Sequence, residues 1–293
     1  MRVRCAACWV SSNRQRMSHM DRAEDLQRAT QRSFGYQWTH FADMVEANRE
    51  HFLTYVAPIQ PSFFKGKRGL DAACGFGRHL YYAKEFGAQM VGLDFSDAIR
   101  SARAILGSQA GASLVKGDIY RAPFRPESFD FIYSLGALHH LPDPEAGFQS
   151  LLPHLKKGGA VFIWVYSKKR RVLNRLLEAA RCVTTRMPLG LLDQLCRILA
   201  LVDFYVFVNP YRVLAPLLAR LGMTLWAPPR VRLYAKFPFR VCYADWFDRL
   251  AAPIRFYYDE EDLKGWAARA GLRDVVITPT GAYGCRLLGY KPE

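Results

Sequence analysis

Residues Leu70–Arg78, with the sequence LDAACGFGR, constrain the fold more than any other stretch of the chain. An acidic residue stands near the end of an apolar run, two glycines follow with one residue between them, and a helical pattern begins directly afterwards. A strand that turns sharply into a helix through glycines directs backbone N–H groups toward a ligand. The turn therefore predicts a site for a nucleotide-like ligand, and the rest of the sequence has to indicate which one.

Apolar runs of strand length alternate with helical patterns on both sides of this turn. The predicted strands end at about Ala72 and span 89–94, 112–118, 129–135, 160–166, 275–280 and 284–290. This alternation predicts an α/β fold with a doubly wound, mainly parallel sheet of seven strands. The short connection GAYG before the last strand predicts a hairpin, so that the last strand runs antiparallel. The carboxyl ends of the parallel strands then share one edge, where ligands bind near the change in strand order.

Four segments follow from the pattern. Residues 1–33 are predicted to form a flexible N-terminal tail, and residues 34–166 a ligand-binding core that includes an aromatic and helical cover. Residues 167–258 form a mostly helical, basic insertion that is expected to act as a lid over the substrate, and residues 259–293 return to the core. Helices are predicted over 41–55 in the cover and over 144–155 before the fifth strand.

The positive charge of the chain is concentrated in the insertion. The net charge is +15, and between Lys168 and Phe256 sixteen basic residues face five acidic ones. Such asymmetry indicates an anionic partner, which is a phosphate-bearing substrate, a nucleic acid or a membrane surface. A solvated basic face without a specific role explains the asymmetry equally well.

Composition also limits the setting of the protein. No uncharged apolar run is long enough to span a bilayer and the N-terminus lacks the apolar core of a secretory signal, so a cytoplasmic protein is expected. The seven cysteines are scattered, which does not indicate a disulfide framework. Cys5 and Cys8 have the spacing of half a zinc site, but no second pair follows, and no metal site is predicted.

Three acids stand at or just after predicted strand ends, namely Asp71, Asp94 and Asp118. An acid at the position of Asp94 accepts hydrogen bonds from ribose hydroxyls, and dinucleotide-binding enzymes use the same acid. The dinucleotide fingerprint, however, has a third small residue where this chain has Leu80, and it requires no acid at Asp71. The glycine pattern therefore favours a different class of nucleotide ligand.

Taken in order, these motifs resemble those of the class I S-adenosylmethionine (SAM)-dependent methyltransferases. Residues 71–77 are similar to the family motif Asp-x-Gly-x-Gly-x-Gly, with Ala73 in place of the first glycine, and Arg78 also departs from the strictest form. Gly117–Ile119 resembles the adenine-binding motif of the family. The segments 134–141 and 155–160 resemble those after the fourth strand and before the fifth, and the antiparallel last strand is the distinguishing sheet edge of the family.

The resemblance implies a Rossmann-like methyltransferase fold, SAM as cofactor and S-adenosylhomocysteine as product. It assigns Asp71 to the ammonium group of SAM, Asp94 to the ribose hydroxyls and Asp118 to the adenine amine. The residues expected to bind the cofactor are Tyr36, Trp38, Asp71, Ala73, Gly75, Gly77, Asp94, Phe95, Asp118, Ile119, Ser134 and Leu135. Tyr36 and Trp38 lie in the cover, where an ordinary role in the aromatic core is the alternative.

Catalytic residues are expected after the fourth and fifth strands. His139 or His140 would serve as general base if the acceptor is a hydroxyl or an amine, and the alternative is that His140 only packs or forms hydrogen bonds beneath the cofactor. Tyr166 ends the fifth strand and is predicted to face the acceptor. Tyr36, Tyr257 and Tyr258 are the predicted substrate contacts, with a role in the core as the alternative.

The predicted function is methyl transfer from SAM to a small-molecule acceptor. The basic insertion adds the hypothesis that this acceptor is anionic. Asp245–Pro253 resembles a segment of bacterial methyltransferases of natural-product and surface-polysaccharide pathways, which predicts that setting. One alternative is an RNA methyltransferase that uses the basic insertion, although residues 134–137 do not match the Asn/Asp-Pro-Pro-Tyr/Phe motif of amine-methylating enzymes. Another is a membrane-surface methyltransferase with a lipid-like or phosphate-bearing substrate. A third is a non-enzymatic protein that binds a membrane surface or a partner through amphipathic helices over 170–187 and 189–208.

Overall fold

The computed structural model describes residues 19–42, 44, 47–107 and 111–293. The chain divides into an α/β unit, which contains the described residues up to Arg175 together with Pro253–Glu293, and a helical unit over Leu176–Ala252. The helices are α1 His19–His40, α2 Ala47–Val56, α3 Arg78–Glu85, α4 Ala98–Leu106, α5 Pro144–Leu151, α6 Arg171–Thr184, α7 Leu189–Asp203, α8 Asn209–Arg220, α9 Pro229–Tyr234, α10 Phe239–Ala251 and α11 Glu260–Arg269. The strands are β1 Arg68–Ala72, β2 Gln89–Asp94, β3 Ala112–Lys116, β4 Phe129–Leu135, β5 Leu155–Tyr166, β6 Arg273–Thr280 and β7 Gly284–Tyr290.

Short 3-10 turns lie at Pro61–Phe64, Ile119–Arg121, Leu138–His140 and Leu152–His154, and a π-helical turn at Phe204–Val208 joins α7 to α8. Local sequence explains where several helices begin. Asp143 caps α5 by accepting a hydrogen bond from the Ala146 N–H, and Pro144 occupies the first helical position. Asp259 and Asp262 form a capping box at the start of α11.

The seven strands form one sheet in the order β3-β2-β1-β4-β5-β7-β6. The pairs among β1 to β5 are parallel, whereas β7 runs antiparallel to both β5 and β6. The predicted doubly wound, mainly parallel sheet with an antiparallel last strand is therefore confirmed. The strand order changes direction between β1 and β4, so the carboxyl ends of these two strands mark the edge where a ligand is expected.

Side chains that alternate along each strand build a core on both faces of the sheet. Phe131 and Tyr133 of β4 pack with Phe52 of α2 and Leu80 of α3 on one face. On the opposite face, the core includes Ile132 of β4, Phe148 of α5, Leu263 and Trp266 of α11, and Val161 of β5. Helices therefore cover both sides of the sheet, as its double winding requires.

The helical unit has its own small core and its own buried ion pairs. Phe204, Val208 and Cys242 form the centre of that core. Arg230 binds Asp203 through its two terminal guanidinium nitrogens, with Nη2 2.6 Å from Oδ2 and Nη1 2.8 Å from Oδ1. Within the described part of the chain, no helix is both long and apolar enough to cross a bilayer.

Several boundaries differ from the sequence predictions: the helix predicted over 41–55 begins at Ala47, the helix predicted over 144–155 ends at Leu151, and the strand predicted over 112–118 ends at Lys116. The tail predicted over residues 1–33 is helical from His19 onward, and residues 1–18 lie outside the described residues. The polar composition of this stretch concealed its helix, because the residues that hold it in place are glutamines rather than an apolar stripe. The fifth strand begins at Leu155 rather than Ala160, because Leu155 already pairs with Phe129 across an irregularity in β4.

Candidate cofactor-binding site

Three residues in the left-handed region of backbone conformation form the turn between β1 and α3. The φ angles are +67° at Ala73, +54° at Gly75 and +84° at Gly77. A Cβ atom at Gly77 would lie 3.2 Å from the Ala102 Cβ, so this position also lacks space for a side chain. The N–H groups of Ala73 and Cys74 both donate to the Leu93 carbonyl, at 2.7 and 2.9 Å, which ties the turn to the end of β2.

Replacing Ala73 by glycine is expected to stabilise the protein by up to about 1 kcal/mol. A left-handed conformation costs an ordinary residue roughly 1–2 kcal/mol, and the added chain entropy of glycine offsets about 0.5–1 kcal/mol of the gain. The measurement is urea unfolding of both proteins. Ala72→Gly, at the fully buried end of β1, is the matched control and should destabilise. An equal destabilisation by both substitutions would contradict the strain assigned to Ala73.

The Asp94 carboxylate is held between the glycine turn and the start of α4. Its Oδ2 accepts from the Gly75 N–H at 2.7 Å, and its Oδ1 accepts from the Ser96 N–H at 2.8 Å and the Ser96 hydroxyl at 2.6 Å. The residue is buried, and this burial raises its pKa in spite of the three donors. An ionised carboxylate has about four acceptor positions, so capacity remains for a ligand hydroxyl.

Asp71 is a buried carboxyl whose charge is only partly compensated. It is 1% exposed, and burial, aided by the negative charge of Asp94, raises its pKa to about 8, although the Tyr133 hydroxyl and the Arg78 charge lower it. In the described part of the chain, Asp71 Oδ2 has no hydrogen-bond partner. A buried acid in this state suits a cationic ligand group, because the ligand would supply the charge that the protein does not. The predicted contact with the ammonium group of SAM fits this environment.

The pKa of Asp71 predicts a pH-dependent stability. Because its folded pKa of about 8 lies above the ordinary value of 3.8, the folded chain binds more protons than the unfolded chain between these values. The free energy of unfolding should therefore fall as pH rises from about 4 to 8, by at most about 1.4 kcal/mol per pH unit from this group.

Urea unfolding, repeated about once per pH unit between pH 5 and 8, measures this slope. Asp71→Asn should make the slope shallower. Asp97→Asn should leave the slope unchanged, because Lys116 lowers the pKa of Asp97, which therefore titrates below this window. The same slope in wild type and Asp71→Asn would contradict the assignment.

Helix α1 lies along this edge of the sheet. Gln27 Nε2 donates to Asp118 Oδ2 at 3.2 Å, and Gln31 Nε2 donates to the Phe95 carbonyl at 2.7 Å. Further along, α1 approaches the site closely at two glycines. A Cβ atom added at Gly35 of α1 would lie 3.6 Å from the Asp97 nitrogen, and one added at Gly75 of the turn would lie 3.3 Å from the Trp38 ring of α1. Residues 27, 31, 35 and 38 share one face of a helix, since they are separated by four, four and three positions.

Sequence reasoning missed Gln27 and Gln31, which lie in the segment predicted as a tail. Their signal is the spacing that places them on the same helical face as Trp38. Asp118 faces this helix, and its Oδ1 also accepts from the Tyr120 N–H at 3.0 Å. The side chain of Ile119 instead packs in the core beside α5, so only its backbone remains for the predicted cofactor contact.

Tyr36 and Trp38 do not share a face of α1, although both were predicted to bind the cofactor. Because they are two residues apart on a helix, their side chains are separated by a rotation of about 200° around the helix axis. Trp38 lies at the glycine turn, with its ring centre 5.2 Å from that of Phe76 and 5.5 Å from the Arg78 guanidinium. Tyr36 stacks on His40 of its own helix at 3.9 Å. The structure therefore brings Trp38, rather than both residues, to the turn.

A second cluster lies after β4 and β5. His139 and His140 are buried in the 3-10 turn that follows β4, and the His139 ring is 3.9 Å from that of Tyr166. His140 Nδ1 is 2.6 Å from the Ile254 carbonyl. Because a carbonyl only accepts, Nδ1 carries the proton in the neutral ring and Nε2 carries the lone pair. The predicted catalytic residues are thus brought together.

Residues at the start of the second segment of the α/β unit, Pro253–Glu293, complete this cluster. Arg255, which sequence reasoning missed, places its guanidinium 4.9 Å from the Tyr166 ring, and Tyr257 lies 6.3 Å from Tyr166. Tyr258 packs on Trp266 of α11 at 4.8 Å, and burial raises its pKa. Neighbouring residues of an extended segment point to opposite sides, so the structure places Tyr257 in the cluster and Tyr258 in the core.

Ser134 and Leu135, the remaining predicted contacts, are both buried at the end of β4. Leu135 packs into the core on the α2 side, which leaves its backbone as the part available to a ligand. Across residues 19–42, 44, 47–107 and 111–293, no group of three or more His, Cys, Asp and Glu side chains is arranged to hold a metal ion.

Part of the α/β unit is similar to known proteins. Residues 70–163 match the family model of the methyltransferase domain. The sterol 24-C-methyltransferase of Schizosaccharomyces pombe is 33% identical over 139 residues, which cover 45% of this chain and 35% of that protein. The cycloartenol-C-24-methyltransferase 1 of rice is 30% identical over 139 residues, covering 45% and 39%. The match thus spans little more than a third of the length of these relatives.

Solved structures with the same fold include human N-acetylserotonin methyltransferase, with a TM-score of 0.54 at 14% identity over 99% of this chain and 66% of that one. The phosphoethanolamine N-methyltransferase 2 of Haemonchus contortus has a TM-score of 0.50 at 15% identity, covering 95% and 61%. At such identities the likeness concerns the fold, which is the Rossmann-like methyltransferase fold. The family model matched over residues 70–163 confirms the prediction of a SAM-dependent methyltransferase domain.

Proposed function

We propose that the protein transfers a methyl group from SAM to a small-molecule acceptor. The observation that carries this proposal is the bond between Asp94 and the Gly75 N–H, which holds a ribose-binding acid against the glycine turn before any ligand arrives. When bound, SAM supplies a methyl group on a positively charged sulfur. The relatives named as sterol and cycloartenol methyltransferases support a small molecule as acceptor.

Three acids along one sheet edge hold the three parts of the cofactor in this proposal. Asp94 accepts hydrogen bonds from the ribose hydroxyls, Asp118 accepts from the adenine amine, and Asp71 supplies negative charge to the ammonium group. Ser96 and Gly75 fix the Asp94 carboxylate in advance, so binding does not have to order it. Such preorganisation lowers the entropic cost of binding.

Methyl transfer is a direct displacement, so the protein contributes mainly by alignment. A nucleophile that is held in line with the methyl group and the leaving sulfur reacts without first losing its freedom of motion. The aromatic rings of Tyr166 and Tyr257, together with His139, form an apolar wall at the carboxyl ends of β4 and β5. Such a wall excludes water from the reacting atoms.

His140 can also receive a proton. With Nδ1–H directed at the Ile254 carbonyl, the lone pair of the neutral ring lies on Nε2, which would accept the proton of a hydroxyl or amine acceptor. The catalytic roles of His139, His140 and Tyr166 stay predictions, as do the substrate contacts of Tyr36, Tyr257 and Tyr258. A role in bacterial secondary or surface-polysaccharide metabolism and a cytoplasmic location stay predictions as well.

Two measurements test the proposal. Calorimetric titration with SAM should show binding at one site. Incubation with SAM and a metabolite extract should then give a product heavier by one methyl group, detected by mass spectrometry. Asp97→Asn, an exposed acid three residues beyond Asp94, is the control that should retain both results. Absence of SAM binding by the folded wild-type chain would sink the proposal.

A further inference from the structure

The helical unit exposes a long row of apolar side chains. From Leu189 to Arg220 the chain is helical without interruption, through α7, the π-helical turn and α8. We call the exposed apolar side chains between positions 198 and 226 the outer face: Ile198, Leu201, Val202, Tyr205, Val206, Phe207, Val213, Leu214, Leu217, Leu221, Met223 and Trp226. Trp226 is 83% exposed and Leu221 is 74% exposed. Apolar side chains in such number mark an interaction surface rather than ordinary surface.

The opposite face of α7 and of the π-helical turn is buried within the unit. The buried residues of α7 and the π-helical turn are Leu192, Cys196, Ala200, Asp203, Phe204 and Val208. Asp203 is bound by Arg230 and by the Trp246 indole N–H at 2.9 Å, which holds α7 against α9 and α10. Helix α8 buries none of its residues. Because these bonds set the orientation of α7, the outer face stays directed away from the core of the unit.

The exposed charges beside the outer face are mainly positive. Arg197, Arg212, Arg220 and Arg232 are exposed. The acids of the unit are largely engaged inside it, since Asp203 and Asp245 bind Arg230 and Arg249, Glu178 binds Arg181, and Asp193 accepts from the Tyr243 hydroxyl. A second copy of the chain placed on this face would bring the same arginines together, which opposes self-association.

We propose that the outer face binds the surface of a membrane that contains anionic lipids. Apolar and aromatic side chains flanked by arginines are the composition of helices that lie in the plane of a membrane interface. The arginines would contact lipid phosphates, and Tyr205, Phe207 and Trp226 would enter the boundary between headgroups and acyl chains. This inference does not depend on the proposed methyl transfer.

Co-sedimentation of the full chain with vesicles tests the proposal. The vesicles contain phosphatidylcholine alone or with about one third phosphatidylglycerol, at low and high salt. We expect tighter binding to the anionic vesicles, weakened by salt. The pair Val206→Glu with Phe207→Glu should lower the partition coefficient at least about tenfold, because two apolar side chains of the proposed membrane contact become charged. Arg212→Glu with Arg220→Glu should remove most of the preference for anionic lipid.

Matched controls come from the α/β unit. Val276→Glu lies on the edge strand β6, and Arg103→Glu with Lys157→Glu reverses two exposed charges, so both should bind vesicles like wild type. Circular dichroism and SAM titration show that each variant is folded, and they keep this test separate from that of the cofactor. The proposal would be overturned if the chain binds no vesicles, or if the control and outer-face variants lose binding equally. It would also be overturned if the chain binds no vesicles but self-associates, and Val206→Glu with Phe207→Glu abolishes that self-association.

Discussion

Replacement of Asp94 by alanine is expected to weaken SAM binding at least about tenfold. A hydrogen bond to a charged group contributes about 1.5–3 kcal/mol, and Asp94 has one acceptor position left for the ribose beside its bonds to Gly75 and Ser96. The loss of this bond amounts to a factor of about 10 to 100 in the dissociation constant. The substitution also releases the Gly75 N–H and Ser96, so the glycine turn loses part of its preorganisation.

Calorimetric titration of wild type, Asp94→Asn and Asp94→Ala measures the effect. The asparagine variant retains the size of the side chain and one acceptor oxygen, so its affinity should fall between those of the other two proteins. Asp97→Asn serves as the control, because Asp97 is exposed and bound to Lys116. If Asp94→Ala binds SAM as tightly as wild type, the cofactor site has been placed wrongly.

Replacement of Arg230 by methionine is expected to destabilise the helical unit by about 3–5 kcal/mol. Removal of one partner of a buried ion pair leaves the other charge without compensation, and losses of this size are typical. Arg230 binds Asp203 with two hydrogen bonds and lies 3.4 Å from Asp245, so two carboxylates are affected. Burial alone would raise the pKa of Asp203, but the hydrogen bonds from Arg230 and Trp246 have the larger effect, so its pKa lies below the ordinary value. The variant should therefore lose this stabilisation near neutral pH.

Amide hydrogen exchange in α7 and α10 reports the loss as a lower free energy of local opening. Arg232→Met provides a matched control, because Arg232 lies on the same helix α9 but is exposed. Its protection should remain within about 0.5 kcal/mol of wild type. Equal effects of the two substitutions would show that the ion pair contributes little. Since α7 carries the outer face, Arg230→Met should also weaken binding to anionic vesicles.

Local patterns in the sequence were sufficient for the sheet and for the main acids of the site. The glycines at 75 and 77 are needed where the backbone becomes left-handed, and Asp94 occupies the end of a strand next to them. Caps such as Asp259 mark helix starts for the same reason, because the groups they satisfy lie within a few residues. Patterns of this kind are encoded by neighbours in the chain, so they can be recognised without the fold.

Other parts of the site depend on partners that are distant in the chain. Gln27 and Asp118 are 91 residues apart, and the pattern of neither segment indicates their contact. The separation of Tyr36 from Trp38 became evident only once α1 was known to be helical and to lie on the turn. Tyr257 and Tyr258 look alike in sequence, yet the ring of Tyr257 lies beside the Tyr166 ring and that of Tyr258 packs on Trp266.

The sequence by itself thus determined the α/β class, the glycine turn and the order of the acids along one edge of the sheet. It did so because backbone conformation and strand alternation are local properties. The tertiary structure alone decided that helix α1 covers this edge, which tyrosines face the cluster at β5, and that an arginine-flanked apolar face remains exposed on α7 and α8. These features arise from packing between distant segments, where many similar side chains compete and only the folded chain selects among them.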